Sequence, residues 1–281
     1  ILQEYSRFFT GPTVTDEAVL GWISLEKNWN GPLHTNKQVL KTLKHWQTIQ
    51  RKIKAPSELG WRTKMGVFRA YYDAYVYKKL LADTKRENET LAFLQKALDS
   101  DSETYLEHAL RKLDEPYNDH ELTKLRENVE RLGEELFREI GIQMSVPKYG
   151  AANWERGAVL DALDMPLNDA IWLKNEINNI IKTQDPLQQR QQISTILNWE
   201  KPTANGYYDD LGNPEKQPHL VITKQWKDDP GFVESPQNEF IEIQGREAWK
   251  QSWRDQAQTL YGTPLRLQYK GLEKNTPYTL Q

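Results

Sequence analysis

From Ile1 to about Trp199, apolar side chains recur every three or four residues, the period of helices with one buried stripe. Val19, Trp22, Ile23 and Leu25 mark a helix over Asp16–Trp29, with Thr15 placed as its N-cap and Asn30-Gly31-Pro32 as its stop. A second helix starts behind Thr35 or Asn36, carries Val39, Leu40, Leu43, Trp46, Ile49 and Ile53, and ends before Pro56. The longest run is WRTKMGVFRAYYDAYVYKKLLADTKRENETLAFLQKAL, in which Met65, Phe68, Tyr72, Tyr75 or Val76, and Leu80 share a face. Tyr71, Tyr72, Tyr75 and Tyr77 cover more than one face, so this helix must meet neighbours or a groove on several sides. Leu122, Leu125, Val129, Leu132, Leu136 and Ile140 predict a helix over Asp119–Ile140, closed by Gly141 in the left-handed position. GIQMSVPKYGAANWERGAVLDALDMPLND reads as a loop with short turns. Helices over Asp169–Lys182 and Pro186–Asn198 follow it, and proline suits the first helical position of the second.

Past Trp199 the texture changes. Pro202, Pro214, Pro218, Pro230 and Pro236, with Gly206, Gly212, Gly231, Gly245, Gly262 and Gly271, interrupt any long element. IEIQ and PLRLQYKGL alternate as half-buried strands do, with Leu265, Leu267 and Tyr269 on one face, and a short helix is expected within Arg246–Thr259. The pattern therefore predicts a mainly α protein: a multi-helix bundle over residues 1–199, then an irregular segment and a small, incomplete β module over 200–281. Such a strand pair is marginal alone and must lean on the helices.

Composition narrows the function classes. The chain has 281 residues, 27% of them charged, and a formal net charge of -3, which gives no electrostatic reason to expect nucleic acid or an anionic membrane as partner. No apolar run approaches the length of a membrane span. With no cysteine, thiolate metal sites, thiol nucleophiles and disulfides are excluded. The five histidines include no pair at i, i+4, and there is no G-x-S-x-G elbow, Walker loop or dinucleotide fingerprint. No cofactor and no metal are expected. The opening ILQEYSRFF lacks methionine and a leader-like core, and the chain closes at NTPYTLQ within a strand-like pattern; a piece of a longer protein is expected.

Candidate chemistry gathers in NGYYDDLGNPEKQPHLV, Asn205–Val221. Asp209, Asp210 and Asn213 carry hard oxygens suited to calcium, yet their spacing is not that of an EF-hand. The favoured reading is a turn, with Asp210 and Asn213 bonding locally and Gly212 at positive φ. For His219, donation to a carbonyl is favoured over ligand contact. Asp161, Asp164 and Asp169, near Trp154, Glu155 and Trp172, have the residue types of a glycosidase carboxylate pair, but helix capping by Asp169 or Asn168 and solvated loops explain them more simply. Trp22, Trp29, Trp46 and Trp61 sit in helical stripes and are assigned to the core, whereas Tyr149, Trp154, Tyr207, Tyr208 and Trp226 lie in irregular stretches that can present flat rings. Such rings stack on the C–H faces of sugars, and they equally line domain interfaces.

ILQEYSRFFTG, LEKNWNGPLHTN, FRAYYDAYVYKKLL, LDMPLND, NGYYDDLGNPEKQPHLV and AQTLYGTPLRLQYKGL together resemble the C-terminal half of large bacterial extracytoplasmic proteins that look like multidomain glycoside hydrolases. In those proteins a barrel precedes the helical domain and a β-sandwich follows it. The resemblance implies a periplasmic or secreted location, neighbouring domains of the same longer chain as partners, and a catalytic barrel outside these residues, so that no catalytic residue carries over. The expected function is an accessory, scaffolding region of a carbohydrate-active protein. Its glycan-binding cleft would use Trp154, Tyr207, Tyr208, Asp209, Asp210 and His219. Two alternatives stay open: a self-contained helical glycan hydrolase or lyase, and a purely structural interaction module.

Overall fold

The computed structural model describes residues 1–28, 33–53, 60–100, 104–152, 157–202, 206–211, 216–221 and 264–279. Among these the protein is mainly helical. Nine α-helices follow one another: α1 (Leu2–Thr10), α2 (Thr15–Lys27), α3 (Gln38–Lys52), α4 (Trp61–Ser100), α5 (Thr104–Asp114), α6 (His120–Ile140), α7 (Val146–Tyr149), α8 (Ala170–Lys182) and α9 (Pro186–Leu197). No strand occurs among the described residues; the alternating stretch Pro264–Leu272 forms one isolated antiparallel bridge, Leu220 to Leu267. The expected strand IEIQ and helix within Arg246–Thr259 lie outside the described residues.

Local chemistry explains several helix ends. Asp119 Oδ1 accepts from the backbone N–H groups of Glu121 (2.8 Å) and Leu122 (3.1 Å), and Gly141 closes α6 at φ 70 by donating to the Phe137 carbonyl. Asp185 caps α9 through the Leu187 N–H, with Pro186 at the first helical position, where no donor is missed. Asn36 accepts from the Gln38 N–H ahead of α3. Thr15 does not cap α2. The chain enters that helix from the 3-10 turn Pro12–Val14, so helical curvature begins before Thr15, whose hydroxyl donates back to the Gly11 carbonyl. Position 169 stands at the start of α8, yet it is Asn168 Oδ1 that accepts from the Ala170 N–H.

The described chain divides into two compact units. The first takes Ile1–Lys85 and Glu115–Leu167, and thus α1 to α3, the leading part of α4, α6 and α7. Every residue of α4 from Ala70 to Tyr77 is buried, which answers the surplus of tyrosines: over this stretch the helix is enclosed on all sides. Trp46 is fully buried, its indole N–H donating to the Gly21 carbonyl at 3.2 Å and its ring meeting Trp22 edge-on at 4.6 Å. Tyr5, Phe9 and Trp61 extend this aromatic cluster, with the Arg62 guanidinium over the Tyr5 and Trp61 rings. The second unit contains Arg86–Asp114 and described residues from Asn168 onward. Its core is Leu94, Ala97, Leu106, Ala109 and Leu113 packed with Trp172, Leu173, Ile177, Ile180, Ile193 and Ile196.

Candidate functional site

In the second unit the turn-rich loop and the far C-terminal segment are drawn together. Backbone bonds Val221 N–H to Arg266 O and Gln268 N–H to His219 O, both 2.9 Å, fix the bridge and bury Leu220. Three rings gather beside it. Tyr207 meets His219 edge-on at 5.0 Å and Tyr269 at 4.9 Å, and His219 lies 4.7 Å from Tyr269. Asp209 ties the group: its Oδ1 accepts from the His219 backbone N–H (3.1 Å), and its Oδ2 accepts from His219 Nδ1 (2.9 Å) and the Tyr269 hydroxyl (3.1 Å). The Tyr207 hydroxyl donates to the Lys270 carbonyl. Gly271 follows at φ 79, a backbone conformation glycine adopts without strain.

Burial separates the two faces of this cluster. The Asp209 side chain is 5% exposed and the His219 side chain 23%, while Tyr207 as a residue is 38% exposed. Desolvation, with the Asp209 carboxylate as bonding partner and neighbouring charge, pushes the Tyr269 phenol above its ordinary value. The loop thus presents a ring surface to solvent over a carboxylate already engaged from within.

Of the six residues expected to form a cleft, His219 touches two others, Tyr207 and Asp209. Tyr208 is half-buried, and Asp210 is buried with its backbone N–H donating to the Lys216 carbonyl. Trp154 lies outside the described residues, as do Asn213, Gly212 and Trp226. The His219 ring meets a carboxylate rather than the expected carbonyl, because Asp209 folds back across the loop to reach both its ring and its backbone. Tyr269 is the member that sequence reading left out. Its signal, an aromatic at the end of the alternating run PLRLQYKGL, pointed only to a strand face. Among the described residues no group of three or more histidine, aspartate or glutamate side chains is arranged to hold a metal ion.

The candidate carboxylates of the first unit, Asp161 and Asp164, are engaged in hydrogen bonds within the fold. Asp161 accepts from the Ser145 hydroxyl and the Val146 N–H, both at 2.7 Å, and so secures the start of α7. Tyr149, placed in that short helix, is buried and stacked on Phe137 at 4.4 Å; burial, reinforced by the Glu134 carboxylate it bonds, pushes its phenol up to about 12. It is a core residue and not a solvent-facing platform. Asp164 accepts two bonds from Arg126, at 2.8 and 2.6 Å, and a third from the Tyr75 hydroxyl.

The Arg126 bonds hold the Asp164 carboxyl below its ordinary value, against the opposing effect of burial. A depressed carboxyl contributes stability above its unfolded pKa of about 3.9, and the contribution is lost as pH falls through the lower folded value. The Asp164 side chain is 60% exposed, so solvent screening limits the gain. Asp164→Asn is expected to lower stability at pH 7 by less than about 1 kcal/mol, and the difference should shrink below about pH 4. Urea unfolding of both proteins at pH 7 and pH 3 measures this; a gap that widens in acid would contradict it.

No family model matches the chain, and neither curated proteins nor solved structures give a match.

Proposed function

We propose that this chain is an accessory, scaffolding region of a carbohydrate-active protein, with the Tyr207–His219–Tyr269 cluster as its glycan-contacting surface. The observation that carries the reading is the exposed residue Tyr207 packed beside two further rings, both of which a buried carboxylate bonds. A flat ring fixed in this way offers a sugar its apolar face at little entropic cost, since the cluster is ordered before the ligand arrives. Helices α8 and α9 belong to the same compact unit as the cluster, and the resemblance to multidomain glycoside-hydrolase-like proteins supplies the context.

Calorimetric titration with neutral plant and algal oligosaccharides tests it. Binding is expected, and Tyr207→Ala should weaken it by about tenfold, the scale of one lost ring contact. Far-ultraviolet circular dichroism checks that the helices persist. The absence of heat with every oligosaccharide would overturn the reading, and hydrolysis or elimination of one of them by this chain would replace it with an enzyme.

A further inference from the structure

We infer that Asp209 holds the His219 imidazole in its Nδ1–H tautomer, and that this makes Nε2 the acceptor through which the loop takes a hydroxyl of a neutral, polyhydroxylated ligand. The ligand half of this inference rests on the glycan reading above; the tautomer half stands on geometry alone.

An ionised carboxylate only accepts hydrogen bonds. With Asp209 Oδ2 2.9 Å from His219 Nδ1, the proton of the neutral ring lies on Nδ1, and Nε2 is left with a lone pair. The other polar groups of the cluster are engaged. The Tyr269 hydroxyl donates to Asp209, the Tyr207 hydroxyl to the Lys270 carbonyl, and the Asp209 oxygens accept three donors. His219 Nε2 makes no hydrogen bond among the described residues, and the ring is partly open to solvent while the carboxylate behind it is not. With the ring neutral, a ligand that reaches Nε2 meets an acceptor and not a charge. A sugar hydroxyl has the proton to give; a carboxylated sugar brings no donor at its acid group and faces the Asp209 charge behind the ring. Neutral sugars are the class this arrangement selects. In this arrangement Asp209 is a positioning residue, acting on the ligand through the imidazole.

Imidazole nitrogen NMR on the full chain, uniformly labelled with nitrogen-15 and recorded at pH 8, reads the tautomer directly. The His219 signals are assigned as those that vanish in His219→Asn. The expected wild-type state is Nδ1–H. Asp209→Asn keeps size and shape, but its amide nitrogen donates to Nδ1, so the ring should switch to Nε2–H. Calorimetry with neutral xylo- and laminari-oligosaccharides should then show about tenfold weaker binding, the loss of one acceptor. Acidic oligogalacturonides should give no heat with the wild-type protein, and heat with them would overturn the selection of neutral sugars. A wild-type Nε2–H ring, an unchanged ring in Asp209→Asn, or unchanged affinity despite a switched ring would each overturn the inference. If the wild type binds no sugar while its ring is Nδ1–H, the glycan reading and the ligand half fall together and the tautomer assignment survives.

Discussion

Asp83→Ala is expected to lower the stability of the protein by about 3–5 kcal/mol, the scale for leaving a buried charge without its partner. Asp83 and Lys79 lie one turn apart on α4, with side chains 2% and 1% exposed and a 2.7 Å ion pair between them. Neither group contacts only the other. The Lys79 ammonium also donates to the Met165 carbonyl at 2.5 Å and sits 5.8 Å from the centre of the Tyr117 ring. Asp83 also accepts from the Leu167 N–H at 3.0 Å and from the Tyr117 hydroxyl. Removing the carboxylate alone leaves the buried ammonium without its counter-charge and takes an acceptor from a buried N–H. For an isolated buried pair, exchanging both members for apolar residues is often neutral or stabilising. Here the double variant Lys79→Met/Asp83→Leu should remain destabilised by at least about 2 kcal/mol, because the backbone at Met165 and Leu167 loses both partners. Chemical denaturation of the two singles and the double, treated as a cycle, separates ion pairing from backbone support. A double variant as stable as the wild type would show that the pair does not hold the Met165–Leu167 segment.

The same pair shows where sequence reading stops. On the pattern of α4, Lys79 and Asp83 are an ordinary i, i+4 pair of opposite charges, the usual dress of a solvated face. Their burial is set by Met165 and Leu167, more than eighty residues further along the chain, and no local window contains that information. Helix α6 is the opposite case: Asp119, the leucine stripe and Gly141 all lie within or beside the element they define, and its limits were legible almost to the residue. Helices α1 and α5, nine and eleven residues long, have no separate place in the pattern as read from the sequence. Tyr149 looked available because its surroundings are rich in glycine and proline; a four-residue helix on Ser145 and Asp161 turned it onto Phe137. The loop site divides along the same line. Tyr207, Asp209 and His219 are near in sequence and could be grouped by eye, whereas Tyr269 reaches Asp209 across sixty residues.

Trp46→Ala should cost about 3–5 kcal/mol, and the reason makes a second, sharper expectation. The indole fills the space that two glycines leave: a Cβ on Gly66 would lie 2.3 Å from the ring and one on Gly21 at 3.0 Å. Gly66 is in the interior of α4, where alanine is favoured over glycine by about 0.8–1 kcal/mol on helix propensity alone. Overpacking decides the sign. Gly66→Ala should destabilise by about 1–3 kcal/mol, because the methyl group would overlap a ring that Gly21, Trp22 and its own hydrogen bond hold in place. Gly21→Ala, with its contacts at 3.0 and 3.1 Å, should cost less than Gly66→Ala. In a Trp46→Leu background the clash is gone, and Gly66→Ala should turn from harmful to favourable by about 0.5–1 kcal/mol. The reversal is measured by thermal or urea unfolding of the four proteins of the cycle, which differ at contacting positions and so must be non-additive. If Gly66→Ala is harmful to the same degree with leucine at position 46, the glycine is required by something other than the indole.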